Sequence, residues 1–547
     1  SGWTPVQIVQ GFLAASASFA GNHAAAQKFL SPQALRTFQP GSWPVTVVSP
    51  QLSEQPMPFG PRSEGDASVS FTVRLRGQQI AAISDIGQYV NSPGARTYTF
   101  NLVRVGGQWR ISSLQPAALL LTQASFEEVY QPRNLYFWSP NYQSLVPEPV
   151  FAPQQDTYAA AAANLVKALL RAYQDGSPWL AGATRTSFPA GSRLIGGKVN
   201  IAGSTATVNL GGAASRAGPL QLQFMAQQLA TTLTSTSYGQ PPIARHVKLE
   251  VNGRIRDDSA QDGGRPGLVP GPAAGGGTLF YLAQNGTVSE WSGLSGRMIR
   301  NPPGRDQIPF SQIAVSAGPT QATQRLAGTV PDGHGCGVYA GPLAATSSLA
   351  FQPLPDPDSG PCTSISWDDL DGAWAVTARG IWALPDGGRQ FEPVMLPPLP
   401  GGSTLPYHVL SLQVAPDGVR VAMLVQTVPG GQAAGGTQVV MAAITRSGTQ
   451  FVLGPTVAVG PTLPGPTALS WLDPDHLVVL AHSLLYSVPV NGGTPVPVGP
   501  APTGVDSVTA AGPGRIAVAG GGQIWTSSGP DQVMQPAVKG AGAVYQG

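Results

Sequence analysis

The sequence predicts two small α+β domains followed by an all-β propeller, and three observations lead to this fold class. Glycine (68 residues) and proline (54 residues) make up 22% of the 547 residues, and charged residues make up only 11%, which is typical of a turn-rich chain built mostly of β-strands. Within residues 1–255 the hydrophobic pattern switches between the helical period and the strand period. Residues 278–547 repeat strand–turn–strand units. A chain of this length exceeds what one hydrophobic core serves.

The charge of the chain is small but unevenly distributed. The formal net charge is +2; residues 1–255 hold 18 Lys/Arg and 10 Asp/Glu, whereas residues 256–547 hold 12 and 18. A basic N-terminal half favours an anionic membrane or wall surface, and the alternative is dispersed charge that only solubilises the chain. No basic run is interleaved with aromatic residues, so we do not expect nucleic-acid binding. The sequence contains no run of eighteen apolar residues, so we expect no membrane-spanning helix.

The first predicted domain, the N-terminal domain, covers residues 1–125. Apolar residues recur at three- and four-residue steps near the start, which predicts a helix. These residues are Val6, Val9, Leu13 and Ala17. Ser31-Pro32 predicts the start of a second helix, because serine is a good N-cap and proline fits the first helical position. The period then becomes two along residues 69–76 and 97–102, and Gly106-Gly107 predicts a tight hairpin turn into a further strand.

The second predicted domain, the middle domain, covers residues 130–255 and is also α+β. A strand is expected at 135–138, and Asp156 is expected to cap a helix with one apolar face. That face consists of Tyr158, Ala161, Leu165, Leu169 and Ala172. A hairpin turning at Gly203-Ser204, a helix opened by Pro219 and a strand at 247–251 complete the domain.

Residues 256–277 are predicted to form a linker, because 10 of these 22 positions are glycine or proline and no periodicity is present. Residues 278–547 are predicted to form the propeller. Apolar strands there lead into turns that carry proline, aspartate or glycine, at spacings of about 40–58 residues with about four strands per repeat. The turns lie at 313–319, 365–372, 415–418, 473–475 and 512–514.

The blade count follows from how the ends of the propeller meet. A hairpin at 279–291, turning at Asn285-Gly286, is expected to pair with the C-terminal residues 543–545 and so to complete a sixth blade. Six blades are therefore expected, with five or seven as alternatives.

Cys336 and Cys362 are the only cysteines. They form no CxxC motif and no metal-ligand spacing with histidine. In an exported protein they could form one disulfide, which would close a loop of roughly 26 residues and contribute about 3–4 kcal/mol. The alternative is two buried thiols.

No motif predicts catalysis, a metal site or a cofactor site. Asp368, Asp369 and Asp371 resemble part of a calcium loop, but Trp367 stands where the first carboxylate ligand belongs, so a propeller turn is the better interpretation. His334 lies two residues from Cys336, which favours a surface loop over a Cys–His pair because such partners usually come from distant segments.

The middle domain resembles the GerMN domain of sporulation and germination proteins. The matching stretches are residues 145–148, 186–194, 206–210, 226–233 and 248–253. The N-terminal domain, which ends in Gly107-Gln108-Trp109-Arg110-Ile111, is similar to the NTF2-like cone. Together with residues 8–16 and the propeller, this domain order resembles the actinobacterial lipoprotein LpqB family over essentially the whole chain.

The resemblance implies an exported protein, lipid-anchored through a cysteine upstream of residue 1 at the outer face of the cytoplasmic membrane. It also implies a non-enzymatic accessory role in the MtrAB two-component system through contact with the extracellular domain of the sensor kinase MtrB, and it implies no catalytic residues. We expect a monomer, without cofactors.

Two other hypotheses remain. A receptor for cell-wall glycan or a small ligand could use the NTF2-like cone, the propeller channel, or stacking on Trp179 or Trp291, although a single aromatic residue is more often part of the core. A hydrolase on one propeller face would need a converging acid–base set, with His334 or His408 as the base.

Overall fold

The computed structural model describes residues 2–545 apart from a set of short segments and one longer one. The positions not described are 19, 41–42, 50–52, 59–69, 156, 176–178, 262–276, 294, 300–308, 317–323, 331–335, 344–348, 355–359, 369–371, 386–389, 401–402, 404, 429–434, 448–449 and 529–532.

Among its described residues, the N-terminal domain combines three helices with a six-stranded sheet in the order β5-β4-β3-β1-β6, with β2 paired to β3. The helices are α1 (Pro5–Ser16), α2 (Ala20–Gln27) and α3 (Pro32–Thr37). The strands are β1 (Val45–Val48), β2 (Ser53–Pro58), β3 (Ser70–Ile83), β4 (Tyr89–Val105), β5 (Gln108–Gln115) and β6 (Leu119–Thr122). Gly106 and Gly107 turn β4 into β5 with φ values of +55° and +77°, as glycine permits, so the predicted hairpin is confirmed.

The helix starts follow from capping chemistry. Thr4 forms a capping box with Gln7 at the start of α1, and the Ser31 hydroxyl accepts the Ala34 N–H at the start of α3, as predicted. The predicted apolar face of α1 is confirmed in part, because Val9 is fully buried and Val6 and Leu13 pack, partly buried, against the same core. The face buried against the sheet consists of Ile8, Val9, Phe12 and Ser16. The prediction omitted Phe12, whose large side chain is almost fully buried.

The middle domain follows α4 (Gln123–Val129) and combines a long two-stranded ribbon with a second sheet and two helices. The ribbon consists of β7 (Tyr130–Trp138) and β8 (Leu145–Pro153). The helices are α5 (Tyr158–Asp175) and α6 (Pro219–Thr234). The second sheet consists of β9 (Ser192–Leu194), β10 (Asn200–Ala202), β11 (Thr205–Gly212), β12 (His246–Val251) and β13 (Arg254–Gln261).

Two predictions for the middle domain need correction. Tyr158 does not lie on the buried face of α5 but is 59% exposed, because the core-facing stripe begins at Ala161. The linker prediction is wrong for residues 256–261, because β13 runs to Gln261 and pairs antiparallel with β12. The proposed Asp156 cap and most of the predicted linker, residues 262–276, lie outside the described residues.

In the described residues the propeller contains six antiparallel sheets, which confirms the expected six blades. Blade one contains β14 (Leu279–Leu282), β15 (Val288–Trp291) and β16 (Gly296–Met298). Blade two contains β17 (Gln312–Val315), β18 (Arg325–Thr329), β19 (Gly337–Pro342) and β20 (Ala350–Pro353). Blade three contains β21 (Cys362–Trp367), β22 (Ala373–Thr377), β23 (Gly380–Leu384) and β24 (Glu392–Val394).

The remaining blades follow the same order. Blade four contains β25 (Tyr407–Val414), β26 (Arg420–Thr427), β27 (Thr437–Ser447), β28 (Gln450–Leu453) and β29 (Val457–Val459). Blade five contains β30 (Pro466–Asp473), β31 (His476–Ala481), β32 (Leu484–Pro489) and β33 (Val496–Pro500). Blade six contains β34 (Ser507–Ala510), β35 (Ile516–Gly520), β36 (Gln523–Ser528) and β37 (Val533–Lys539).

The ring closes as expected from the sequence. The last strand, β38 (Ala541–Val544), pairs antiparallel with β14 and completes blade one. The first strands of successive blades contact one another around the ring, and β34 and β17 both contact β38. This arrangement protects the strand edges that an open sheet would expose.

A tryptophan–arginine pair recurs between blades. Trp367 of β21 donates its indole N–H to the Ala314 carbonyl of blade two at 3.1 Å, and Arg325 of β18 stacks over its ring. Trp471 of β30 donates in the same way to Gln413 of blade four at 3.1 Å, under Arg420 of β26. Each pair fixes one blade to the next through a hydrogen bond and a cation–π contact.

Candidate functional site

The two cysteines are joined. Cys336 and Cys362 form a disulfide with their Cα atoms 4.9 Å apart, so of the two alternatives left by the sequence the structure contains the disulfide. Cys336 immediately precedes β19 of blade two and Cys362 begins β21 of blade three. The bond therefore links two neighbouring blades. His334, considered as a partner of Cys336, lies outside the described residues.

Asp368 has a structural role in the propeller. Its carboxylate accepts the Gly372 N–H and the Trp374 indole N–H, both at 2.9 Å, and forms an ion pair with Arg446 of blade four at 2.8 Å. Asp369 and Asp371, the other members of the calcium-like run, lie outside the described residues. Within the described part of the chain no group of three or more His, Cys, Asp or Glu side chains could hold a metal ion.

The middle domain is joined to the propeller by a buried polar contact. Asn134 of β7 donates its amide to one carboxylate oxygen of Asp475, which lies in the turn between β30 and β31. The backbone N–H of Tyr238, just after α6, donates to the other oxygen at 3.0 Å. Because the Asn134 and Asp475 side chains are removed from water, each depends on its protein partners for its hydrogen bonds.

Two neighbouring ionisable groups at this contact, Asp475 and His476, have shifted pKa values. Burial raises the pKa of Asp475, against the hydrogen bonds from Asn134 and Tyr238 that lower it. His476, beside it, bonds to Asp473 at 3.0 Å, and the Tyr238 ring lies edge-on at 5.4 Å. Burial lowers the pKa of His476, but the hydrogen bond and charge of Asp473 and the charge of Asp475 outweigh burial, so its pKa lies above the usual 6.5. Protonation of His476 therefore changes the charge at this contact.

A second contact extends the connection to the N-terminal domain. The buried Glu148 of β8 accepts the indole N–H of Trp179 at 3.2 Å and the side-chain amide of Gln88, which precedes β4. Trp179 and its neighbour Leu180 pack among propeller residues such as Val419 and Val479. Trp179 is thus buried at a domain interface, which agrees with the preferred interpretation of a core residue and excludes this ring as an exposed platform for a glycan.

The turn that faces the middle domain contains a buried ion pair. Asp417 pairs with Arg420 at 2.6 Å, and both side chains are almost fully buried. The other Asp417 oxygen accepts the N–H groups of Val419 and Arg420 at 2.9 Å. The Asp417 carbonyl accepts the Ser144 hydroxyl of the middle domain at 3.0 Å. The predicted Ala415–Gly418 turn is therefore part of the interdomain contact.

The propeller also carries an exposed apolar surface, which we name the Met395 patch. Met395 follows β24 and is 79% exposed, and Val452 of β28, which pairs with it across blades three and four, is 46% exposed. Leu396 is 37% exposed. Leu405, 48% exposed, precedes Tyr407, whose hydroxyl donates to the Pro397 carbonyl. Exposed apolar side chains that adjoin one another, as those of the paired residues Met395 and Val452 do, mark interaction surfaces more often than single ones do.

Sequence reasoning missed most of these residues. The turn at 473–475 was predicted, but no sequence signal shows that Asp475 faces another domain. The Met395 patch had a weak signal: residues 393–399 are apolar or proline with no alternation, which is unusual after a surface strand. His408, considered as a base, is exposed on β25.

Comparison with protein-family models gives a match for each part of the chain. Residues 1–127 match the "Lipoprotein LpqB, N-terminal domain" model, and residues 310–541 match the "Lipoprotein LpqB beta-propeller domain" model. Residues 134–257 match the "Sporulation and spore germination" model, named Germane.

The chain belongs to the lipoprotein LpqB family.

Full-length relatives agree with this assignment. The Lipoprotein LpqB of Thermobifida fusca is 29% identical over an alignment that covers 100% of this chain and 91% of the relative. The Lipoprotein LpqB of Streptomyces avermitilis is 26% identical, covering 99% of this chain and 90% of the relative. Among solved structures, the first GerMN domain of GerM from Bacillus subtilis aligns with 25% of this chain and 96% of its own length, at 19% identity and a TM-score of 0.18.

Within the described residues, no helix of this LpqB-family chain has both the length and the apolar character needed to cross a membrane.

Proposed function

We propose that this chain is an exported, lipid-anchored protein at the outer face of the cytoplasmic membrane that binds the extracellular domain of the sensor histidine kinase MtrB and so modulates the MtrAB two-component system. The relatives are named lipoproteins, which supports anchoring. The excess of Lys/Arg over Asp/Glu in residues 1–255, 18 against 10, agrees in sign with an N-terminal half that faces an anionic membrane.

The observation that carries the proposal is the Met395 patch. Single exposed apolar side chains need no explanation, but Met395 and Val452 adjoin each other across two blades and remain open to solvent. Methionine adapts its shape to a partner, which suits a contact surface. We assign the kinase extracellular domain as the occupant of this patch.

Binding without catalysis is supported by what the buried ionisable residues do. Asp417 pairs with Arg420, Asp368 with Arg446, and Asp475 accepts hydrogen bonds from the middle domain. Each of these carboxylates is occupied in holding blades or domains together. The interdomain contacts join the middle domain to the propeller, which gives a partner a preorganised surface and reduces the entropy lost on binding.

The test is binding of the purified chain to the purified MtrB extracellular domain, measured by biolayer interferometry. We expect saturable binding, and a loss of at least tenfold in affinity for Met395→Glu and for Val452→Glu, because a charge must then be desolvated at the interface. The matched control is Val533→Glu on β37 of blade six, where the valine is 60% exposed.

The outcomes separate the two parts of the proposal. Absence of saturable binding between two folded proteins contradicts the function. If binding is saturable and the Met395 and Val452 substitutions leave its affinity unchanged, the proposed function is supported but the proposed contact surface is contradicted.

The alternative function, a receptor for cell-wall glycan or a small ligand, is favoured by one observation, a cavity in the N-terminal domain. That cavity supports ligand binding, a property separate from kinase binding.

A further inference from the structure

The N-terminal domain contains a cavity of about 170 Å³ between its helices and the end of its sheet. Its wall is mostly aromatic and aliphatic. The apolar wall includes Phe12 of α1, Ala34 of α3, Phe38, Trp43, and Ile111 and Leu114 of β5. Phe12 and Phe38 meet edge to face at 6.4 Å, and Phe38 and Trp43 at 5.1 Å, so the rings hold one another in place.

The few polar groups in the wall already have partners. The Ser112 hydroxyl donates to the Asn101 carbonyl at 3.0 Å, and the Ser113 hydroxyl accepts the Asn101 amide at 2.9 Å. The Thr37 hydroxyl donates to the Ala34 carbonyl at 3.1 Å. Ordered water needs two to four polar partners, and a cavity lined in this way offers few. Its chemistry therefore suits a hydrocarbon group.

The cavity opens to solvent where its wall residues are exposed. Thr37 and Ala117 are exposed and Trp43 is half-buried, so these three mark the mouth. Leu35, beside the mouth on α3, is 41% exposed.

A cationic residue adjoins the mouth in the sequence. Arg36 is exposed and directly precedes Thr37. Residues 1–50 contain Lys28 and Arg36 but no aspartate or glutamate. An anionic group at the mouth would therefore meet a cation and no opposing charge from this part of the chain.

We propose that the cavity binds the alkyl chain of an anionic amphiphile, with the head group beside Arg36. An apolar cavity of roughly 150 Å³ takes up a benzene ring, so this one has room for the end of a single chain. The ligand could come from two sources, a free fatty acid or an anionic lipid within a bilayer. This inference does not depend on kinase binding.

The first test is calorimetric titration of the full chain with decanoate. We expect saturable 1:1 binding, and a loss of at least tenfold in affinity in Ala117→Phe, in which a ring fills the mouth. Ala95→Phe is the matched control, since Ala95 is exposed on β4 and lies outside the wall. The thermal midpoint of each variant shows that it is folded. Ala117→Phe has the normal midpoint because Ala117 is exposed.

A second pair of measurements tests the head group and the source. Arg36→Gln weakens decanoate binding several-fold and leaves 1-decanol binding unchanged. Flotation with vesicles of phosphatidylglycerol, compared with phosphatidylcholine, separates the sources: binding to the anionic vesicles that Ala117→Phe abolishes assigns the bilayer lipid, and binding of decanoate alone assigns the free acid. The proposal is overturned when neither probe binds saturably, or when Ala117→Phe binds as tightly as the unchanged chain.

Discussion

Asn134 of the middle domain donates its side-chain amide to Asp475 of propeller blade five, across 341 residues of sequence. The second oxygen of the same carboxylate accepts the Tyr238 N–H. One propeller side chain thus holds two separate segments of the middle domain. The relative position of the two domains depends on this carboxylate and on the packing of Trp179.

Replacing Asp475 loosens this interface. Asp475→Ala leaves the Asn134 amide and the Tyr238 N–H without acceptors, and we expect a loss of about 2 kcal/mol in the free energy of unfolding. Hydrogen exchange at the Tyr238 amide accelerates at the same time. Asp506→Ala, at an exposed propeller position, is the control and leaves both quantities unchanged. Equal exchange at Tyr238 in both variants would contradict the assigned role of Asp475.

Two arginine–carboxylate pairs with the same separation differ in burial. Arg420–Asp417 and Arg297–Glu290 are both 2.6 Å apart, but the Arg420 side chain is 1% exposed and that of Arg297 is 72% exposed. Arg420→Leu leaves a buried carboxylate without its cation, so we expect a loss of about 3–5 kcal/mol. Arg297→Leu costs less than about 1 kcal/mol. Urea unfolding of both variants measures the difference, and similar midpoints would refute the argument from burial.

Reduction of the disulfide destabilises the propeller. The loop from Cys336 to Cys362 spans 26 residues, and restoring its freedom in the unfolded chain costs about 3–4 kcal/mol. Dithiothreitol therefore lowers the urea midpoint of the unchanged protein. It has no effect on the Cys336→Ser/Cys362→Ser double variant, which is the control. A midpoint that does not move after both thiols are shown to be free would contradict this prediction.

The stability contributed by His476 depends on pH. Its pKa in the folded chain lies above 6.5, so its stabilisation is fully present below pH 6.5 and is lost as the pH rises through the raised pKa. We expect the free energy of unfolding of the unchanged protein to exceed that of the His476→Gln variant by about 0.5–1 kcal/mol at pH 6, and by less at pH 8.5.

Thermal unfolding of both proteins at the two pH values measures this difference. Burial lowers the pKa of His23, but His23 is present in both proteins and its effect cancels. A stability difference between the two proteins that grows with pH would contradict the raised pKa of His476.

Much of the fold could be predicted because its signals are local. Ser31-Pro32 specifies a helix start, Gly106-Gly107 a hairpin, and the regular turns specify the blades. The α1 face was predicted only in part: Val9 is buried as expected, but the sequence pattern did not single out Phe12, the largest buried side chain of the helix. Residues 256–261 appeared to be linker because β13 is polar, yet pairing with β12 orders it.

The candidate site was less predictable because it depends on contacts between distant segments. Asp475 and Asn134 belong to different domains, and nothing in either local sequence refers to the other. Trp179 has no neighbours that reveal its burial beneath propeller strands. The Met395 patch forms where blades three and four adjoin. The position of that contact is determined only when the propeller has folded.

The most direct test of the proposed function is photo-crosslinking in living cells. The chain contains only five lysines, so a photoreactive phenylalanine analogue placed at Met395 samples the patch better than lysine chemistry does, with the same analogue at Val533 as control. We predict crosslinks from position 395 to the extracellular domain of MtrB, and none or few from position 533. Folded, membrane-associated protein whose position 395 crosslinks to other molecules but never to the kinase would contradict the account.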